Sequence, residues 1–336
     1  MNGDEIRQKE HRRIFGYNGA FQKESQLSGK RLASELGIFF RNDDVNDNEL
    51  SRTRQRDITQ YNLALGDVSE TNTGAYASAA WEIAPGFTLN AGGRFDLFQF
   101  SYENKLDSIY EPQRVTASIF SPKLNLFYDL NNSVRLYINS GYGFHSNDAR
   151  VVVPQDGKEI LPKALGVDVG AIFKPSPALL FNVAGWYLTL DQEFVYVGDA
   201  GIVEPGGKTH RLGVDVSARL QLLRYLFVDT DLTYSHARAT DEPEAAQYIP
   251  LAPQWTGTGG LSWDKGQGVF GSLRFRYLGD RAANEDNSLN ADGYFLLDAV
   301  AGWKKNNLEF GLSAQNLLNV EWKEAQFETE SRLQPE

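Results

Sequence analysis

The feature that most constrains this chain is a two-residue alternation of apolar and polar side chains, clearest in Thr209–Ala237. Between Thr209 and Leu222, one set comprises Thr209, Arg211, Gly213, Asp215, Ser217, Arg219 and Gln221, all polar, charged or without a side chain. The interleaved His210, Leu212, Val214, Val216, Ala218, Leu220 and Leu222 are almost all apolar. Successive side chains of a strand point to opposite sides, so this segment has one apolar and one polar face. After a break at Leu223–Arg224 the pattern resumes, with Leu226, Val228, Thr230, Leu232 and Tyr234 opposite Asp229, Asp231, Thr233 and Ser235. Adjoining strands of about a dozen residues are longer than the usual soluble strand of roughly 5–6. They match the roughly 9–11 tilted residues that cross a bilayer.

The same alternation recurs about 14 times, with no convincing amphipathic helix between. The first pair is Arg12–Lys23 and Lys30–Asn42, followed by a polar connection, Asp43–Thr71. Asn72–Ile83 and Phe87–Ser101 flank the tight turn Ala84-Pro85-Gly86. Thr116–Leu130, Ser133–Gly143, Lys163–Lys174 and Ala178–Leu190 come next. Beyond the Thr209–Ala237 hairpin lie Pro253–Asp264, Gly268–Gly279, Asp292–Trp303 and Asn307–Leu317. Short connections (Leu130–Asn132, Lys174–Pro177, Asp264–Gly268, Trp303–Asn306) alternate with long polar ones (Glu103–Val115, His145–Pro162, Asp191–Lys208, Arg238–Ala252, Asp280–Ala291). Short turns at one end and long loops at the other are expected of an all-β, antiparallel up-and-down transmembrane β-barrel. A β-sandwich has shorter strands without that asymmetry, and a propeller has a four-strand period. Aromatics near the strand ends (Phe98, Phe100, Tyr102, Tyr142, Phe144, Tyr225, Phe227 and Trp303) are expected to form interfacial girdles.

Composition narrows the function classes. Hydrophobic residues make up 41% of the 336 residues, aromatics 12%, and there are 31 glycines. That balance suits strands that are apolar at every second position. No apolar run approaches the roughly 18 residues of a membrane-spanning helix. The net charge of −11 argues against a nucleic-acid partner. With no cysteine there is neither a disulfide framework nor a thiolate metal site. Met1–Arg13 is charged and lacks the apolar core of a secretory signal.

Gly143-Phe144-His145-Ser146-Asn147-Asp148-Ala149-Arg150 stands where a strand opens into a long loop, and it resembles a motif of TonB-dependent outer-membrane receptors. Gly93-Arg94-Phe95-Asp96 resembles a strand core of that family, and Pro253-Gln254-Trp255-Thr256 the opening of a descending strand. Arg276–Arg281 followed by Ala291–Tyr294 is similar to a late hairpin, and Asn316-Leu317-Leu318-Asn319 to the family's penultimate strand. The pieces stand in the family's order over about residues 12–330. The resemblance implies a 22-stranded barrel around an N-terminal plug, with a TonB-contacting segment ahead of the plug. Neither plug nor TonB box is found before Arg12, and no terminal strand follows Asn319. The expectation is therefore a polar tail at 1–11, a partial barrel over 12–318 holding the eighth to twenty-first strands, and a truncated outer loop at 319–336.

As partners the resemblance implies outer-membrane lipid, the protein's own plug, TonB, and a large scarce extracellular solute, with ferric siderophores the leading class. Other barrel readings are a passive porin or a lipid-modifying enzyme; a secreted soluble β protein is a third class. No nucleophile–base pair stands out, so no enzyme activity and no cofactor are expected. His145, Asn147, Asp148 and Arg150 are the candidate ligand contacts at the outer mouth, with a loop-bracing role for Asn and Asp as the plainer alternative. Arg94, Asp96, Arg211, Asp215, Arg219, Asp229, Asp231, Arg274, Arg276 and Asp298 fall on the expected lumen face. They would contact a plug or anionic solute, or pair with one another across strands. Asp43-Asp44…Asp47 lacks the ligand spacing and turn glycine of a Ca²⁺ loop. Gly257–Gly260 lies inside a strand and is not a phosphate loop. His210 is expected on the apolar face, His236 at a strand-to-loop boundary and His11 in the tail.

Overall fold

The computed structural model describes residues 5–107, 113–147, 149–153, 160–192, 194–197, 202–205 and 207–323. Its core is one continuous antiparallel sheet of 14 strands. They are β1 (Glu5–Leu27), β2 (Lys30–Arg54), β3 (Ile58–Ala84), β4 (Phe87–Asn104), β5 (Gln113–Asn131), β6 (Val134–Phe144), β7 (Lys163–Ser176) and β8 (Leu179–Leu190). The sheet continues through β11 (Thr209–Leu223), β12 (Leu226–Ala239), β13 (Trp255–Asp264), β14 (Gly268–Leu278), β17 (Tyr294–Lys305) and β18 (Leu308–Ala314). Two small hairpins, β9 (Phe194–Val197) with β10 (Ile202–Pro205) and β15 (Arg281–Ala282) with β16 (Asn290–Ala291), sit in the long loops. Neighbours in sequence are neighbours in the sheet, and the order is linear from β1 to β18. No helix among the described residues is long and apolar enough to cross a membrane.

Turn chemistry fixes the register. Ser28 and Gly29 both have positive φ, 54° and 72°, which gives the two-residue turn whose twist matches that of the flanking strands. Pro85 and Gly86, the latter at φ 77°, provide the fixed and the left-handed positions of the next tight turn. Because each of these turns is short, a one-residue slip would move every side chain to the wrong face.

The sheet is inside-out relative to a soluble protein. Leu212, Val214 and Leu232 are 46%, 43% and 40% exposed, while Asp96 is 0% exposed. The register carries this division across the whole sheet. Arg219 pairs with Asp229, Gly260 with Arg274 and Arg274 with Asp298, while Arg94 pairs with Ser121, so polar side chains follow one face throughout. The opposite face presents Phe95, Phe120, Ile138, Val169 and Phe295, all exposed. That face is the one expected to meet lipid.

Three expectations are corrected. Asp43–Thr71 is not a loop: β2 and β3 run through it and turn only at Gln55–Asp57. The β2 half of this extension is polar on both faces apart from Val45 and Leu50, so it carries little alternation to read, yet its backbone stays paired from Asp43↔Glu70 to Arg54↔Ile58. The tail expected at 1–11 is strand from Glu5, held by pairing of Glu5–Lys9 with Glu49–Thr53 and by the Arg7–Glu49 ion pair at 2.6 Å. The last strand stops at Ala314 instead of Leu317, because Asn316 turns the chain at φ 50° and its side chain bonds Val320 at 2.9 Å in both directions. His210 is on the apolar face, whereas His236 lies within β12 opposite Leu212, and His11 lies within β1.

Val214→Arg should damage membrane assembly far more than Ser217→Arg. Val214 faces outward, while Ser217 faces inward and donates to Asp231 at 2.7 Å. The expected difference is about 2–4 kcal/mol at mid-bilayer depth. Refolding yields into phospholipid vesicles check it, and equal tolerance of both arginines would remove the lipid-facing assignment.

Candidate functional site

The only cluster of fully buried apolar side chains among the described residues is at the long-loop end, on the inner face. Phe98, Phe100, Ala149, Val153 and Ile160 form it, with Val68, Tyr102, Val115, Ala117, Phe144 and Leu161 packed around. Phe98 and Phe100 lie nearly parallel at 5.5 Å, and Phe144 meets Phe98 edge-on at 5.7 Å. These rings were expected in an interfacial girdle; instead they anchor a loop. In β4, Phe98, Phe100 and Tyr102 share the parity of Arg94 and Asp96, so they point inward. Tyr142 and Trp303 do lie on the outer face, and Tyr225 packs against Trp263 at the short-turn end. Phe227 follows the inner register with Asp229.

The loop after β6 therefore folds into the mouth, starting with the short helix α1 (Ala149–Val152). Asn147 is its anchor. It is buried, its Nδ2 donates to Gln192 Oε1 at 2.6 Å, and its N–H donates to the Ile160 carbonyl at 2.9 Å. Since Gln192 follows β8, Asn147 ties two neighbouring outer loops together. His145 is partly buried at the start of the loop. Arg150 is exposed and its Nη1 donates to Asn48 Oδ1 at 2.8 Å, reaching across to β2. Asp148 lies outside the described residues. The motif thus braces the loop through Asn147 and presents Arg150 to the space beside it.

That space is a cavity of about 620 Å³ between β1, β2, β3 and the folded-in loop. Arg12, Arg41 and Arg150 supply cationic groups to its lining, and Asp43 and Glu70 supply anionic ones. Arg41 clasps Asp43 at 2.5 and 2.9 Å. Asp43 and Glu70 oppose one another across β2 and β3. Both lie in the extensions beyond the roughly 9–11 residues that cross the bilayer. The hydrogen bond from Arg41 holds the Asp43 carboxyl below its ordinary value. Burial, then the charge of Asp43, pushes the Glu70 carboxyl up; Arg41 and a hydrogen bond from Ser146 oppose that shift. Arg41 and Glu70 were missed because they fell beside or in the stretch read as a loop; Arg12 was read only as the start of a strand, and Asp43 only as part of an acidic run. The acidic run itself diverges. Asp43 bonds Arg41, Asp44 accepts from Ser69 at 2.6 Å, and Asp47 pairs with Lys105 at 2.8 Å.

The ten inner-face charges are mostly satisfied by one another. Arg94 makes two 2.7 Å bonds to Asp96, Asn72 adds a third at 3.2 Å, and the guanidinium lies 3.8 Å above the Phe39 ring. Arg219 grips both oxygens of Asp231 at 3.0 and 2.8 Å, and Arg274 binds Asp229. Asp215 accepts from Thr233 at 2.8 Å and Asp298 from the Asn316 N–H at 2.7 Å. Arg276 stacks over Tyr294 and Trp322 at 5.3 and 5.0 Å. Arg211 lines a second cavity, of about 390 Å³, with Trp186 and the loop after β12.

The family described as "TonB dependent receptor-like, beta-barrel" matches residues 2–317. The chain belongs to that family. Its place is the outer membrane of a Gram-negative bacterium, and its relatives are receptors and transporters. It is 23% identical over 219 residues, 63% of the chain, to the ferrioxamine receptor of Yersinia enterocolitica. The unliganded ferric citrate transporter FecA superposes on 94% of the chain with a TM-score of 0.80 at 16% identity. The ferric yersiniabactin receptor FyuA of Yersinia pestis does so with a TM-score of 0.76 at 14% identity, again over 94% of the chain. The chain spans 30% of the curated relative and 51% and 50% of the two solved structures.

Two outcomes test the mouth. Phe100→Ala removes the ring on which the loop rests, and a buried Phe→Ala typically costs about 3–5 kcal/mol. Limited proteolysis within residues 145–162 should then become much faster while the sheet stays intact. Glu70 has its carboxyl pushed up, so its contribution to loop packing is fullest below the ordinary glutamate value and falls as pH rises through the raised one. Amide exchange of Ser146 and Asn147, corrected for its intrinsic base catalysis, should quicken over that window. Glu70→Gln should remove the pH dependence.

Proposed function

We propose that this chain forms wall and outer mouth of a TonB-dependent receptor that imports a large, scarce solute of the ferric siderophore class. The strands and the plug that complete the barrel belong to the rest of a longer protein, as does the segment that engages TonB. The family match supports this reading, as do similar proteins that include a ferric citrate transporter and a ferrioxamine receptor. The observation that carries it is the mouth cavity, where Arg12, Arg41 and Arg150 converge beneath a loop held by Asn147. Arg12 pairs with Glu10 at 3.1 Å and Arg41 with Asp43, while Arg150 is held by the neutral Asn48 amide; these planar N–H forks match the carboxylate oxygens of an anionic chelate.

Below the mouth, the wall is charged but internally paired, which suits contact with a polar plug. Arg219–Asp231 and Arg94–Asp96 hold their groups in fixed positions, so a plug surface meets a preset pattern. The energy for transport comes through TonB acting on the plug; the barrel contributes recognition and a path.

The test uses the whole protein that contains this chain, expressed in a host lacking its own iron receptors. Uptake of radiolabelled ferric citrate should require an intact TonB system. Arg150→Ala should weaken binding about tenfold or more, as expected for loss of a charge-assisted hydrogen bond worth roughly 1.5–3 kcal/mol. Uptake that persists without TonB would make the barrel a passive pore.

A further inference from the structure

The lipid-facing side carries a feature that solute uptake does not use. β5 remains paired with β4 up to Tyr102↔Gln113, but its pairing with β6 stops at Lys123↔Gly141. Pro122, the next residue, has no N–H to offer a neighbour, so the ladder ends where proline begins. Above that point β6 stays with β7 to Phe144↔Lys163, and β5 leans away with β4. The sheet therefore opens into a wedge-shaped notch of about 390 Å³ on its outer side. Phe120 and Tyr142, 59% and 47% exposed, flank it. Buried Ile119 and Leu161, which packs on the mouth cluster, form its floor. Lys163 is exposed at its rim.

Depth assigns the surroundings. β6 has 11 residues, about one bilayer crossing, so Tyr142 near its end lies at the outer interface. Lys163 opens β7 opposite Phe144, at the same level or just above. An apolar slot below a lone cation, at the height where lipid headgroups begin, has the polarity of a single lipid molecule. Interrupted pairing also leaves strand backbone facing hydrocarbon, which is unfavourable unless the slot is covered.

We propose that this notch is a binding site for one membrane lipid of the outer leaflet whose phosphate headgroup carries a net negative charge. An acyl chain lies between Phe120 and Tyr142 on the floor of Ile119 and Leu161, and Lys163 takes the phosphate. The proposal rests on lipid contact of the outer face. It adds a discrete site where the rest of that face meets bulk lipid only.

The experiment uses the whole protein reconstituted with dimyristoyl phosphatidylglycerol or dimyristoyl phosphatidylcholine, whose acyl chains are identical, and counts retained lipid by native mass spectrometry. Wild type should keep one phosphatidylglycerol at several-fold lower lipid concentration than phosphatidylcholine. Lys163→Gln should abolish that preference. Ser118→Trp, which fills the notch, should lose the retained lipid of either kind. Val169→Trp, at an exposed outer-face position on β7, should keep it. Equal retention of both lipids by wild type, or the same lipid count for Ser118→Trp and Val169→Trp, would overturn the site. Failure of all variants and wild type to enter vesicles would instead strike at the lipid-facing assignment. If Ser118→Trp does not fold, the headgroup preference of Lys163→Gln decides alone.

Discussion

A strand that crosses hydrocarbon must find every backbone hydrogen bond in its neighbours, because no water is there to supply one. This requirement explains why the ladder in this protein runs without a register shift through the middle of the strands. Shifts occur beside the short turns, between Glu82 and Ala84, Asp129 and Asn131, Phe173 and Ser176, and Gln221 and Leu223. The unzipping of β5 from β6 at Lys123↔Gly141, the bulge between Val45 and Asn48, and the folded-in loop lie toward the long-loop end. The order of the sheet is linear, so the outer edges of β1 and β18 carry backbone groups that the described strands do not pair. In lipid, those edges need partners.

Once backbone pairing is fixed, side chains have only two environments, and the charge pattern follows. On the inner face, acids and bases sit close enough to neutralise each other: Arg94 with Asp96 on one strand, Arg219 with Asp231 on adjacent strands, and Arg274 on β14 with Asp229 on β12, over the intervening Gly260 of β13. Charged groups facing inward keep the wall wettable without exposing a strong field of one sign. At the mouth the pairs lie nearer to water. Arg12 on β1 pairs with Glu10 and Arg41 on β2 with Asp43, while Arg150 reaches in from a loop to the Asn48 amide.

Much of this fold was legible because lipid on one side and water on the other impose a strict period of two. Strands such as β8 and β11 were read to within a residue at most ends, and Arg211, Asp215 and Arg219 fell on the correct face. The same logic shows why the reading failed beyond Asn42. Where β2 and β3 rise out of the bilayer, residues such as Asp44, Asn46 and Glu49 meet water on both sides, and the alternation vanishes although the pairing persists. Phe98 and Phe100 failed for a different reason. Their position near a strand end suggested an interface, but parity with Asp96 already placed them inside. Parity was the stronger signal, since one residue of shift in a strand reverses its side.

The candidate site was partly legible as a motif and not as a geometry. Gly143–Arg150 announced a strand opening into a structured loop, and Asn147 does brace that loop, but its partner Gln192 is distant in sequence and carries no pattern of its own. Likewise Arg41 and Glu70 reach the mouth only because a long hairpin delivers them there, a consequence of register rather than of local composition. A buried amide that links two loops transmits any displacement of one to the other, since moving either leaves a buried polar group without its partner. The loops after β6 and β8 are therefore coupled at Asn147–Gln192, and the apolar floor of Phe98 and Phe100 gives the first of them a definite seat. Under the proposed function, a solute that draws Arg150 away from Asn48 would therefore act on both loops at once.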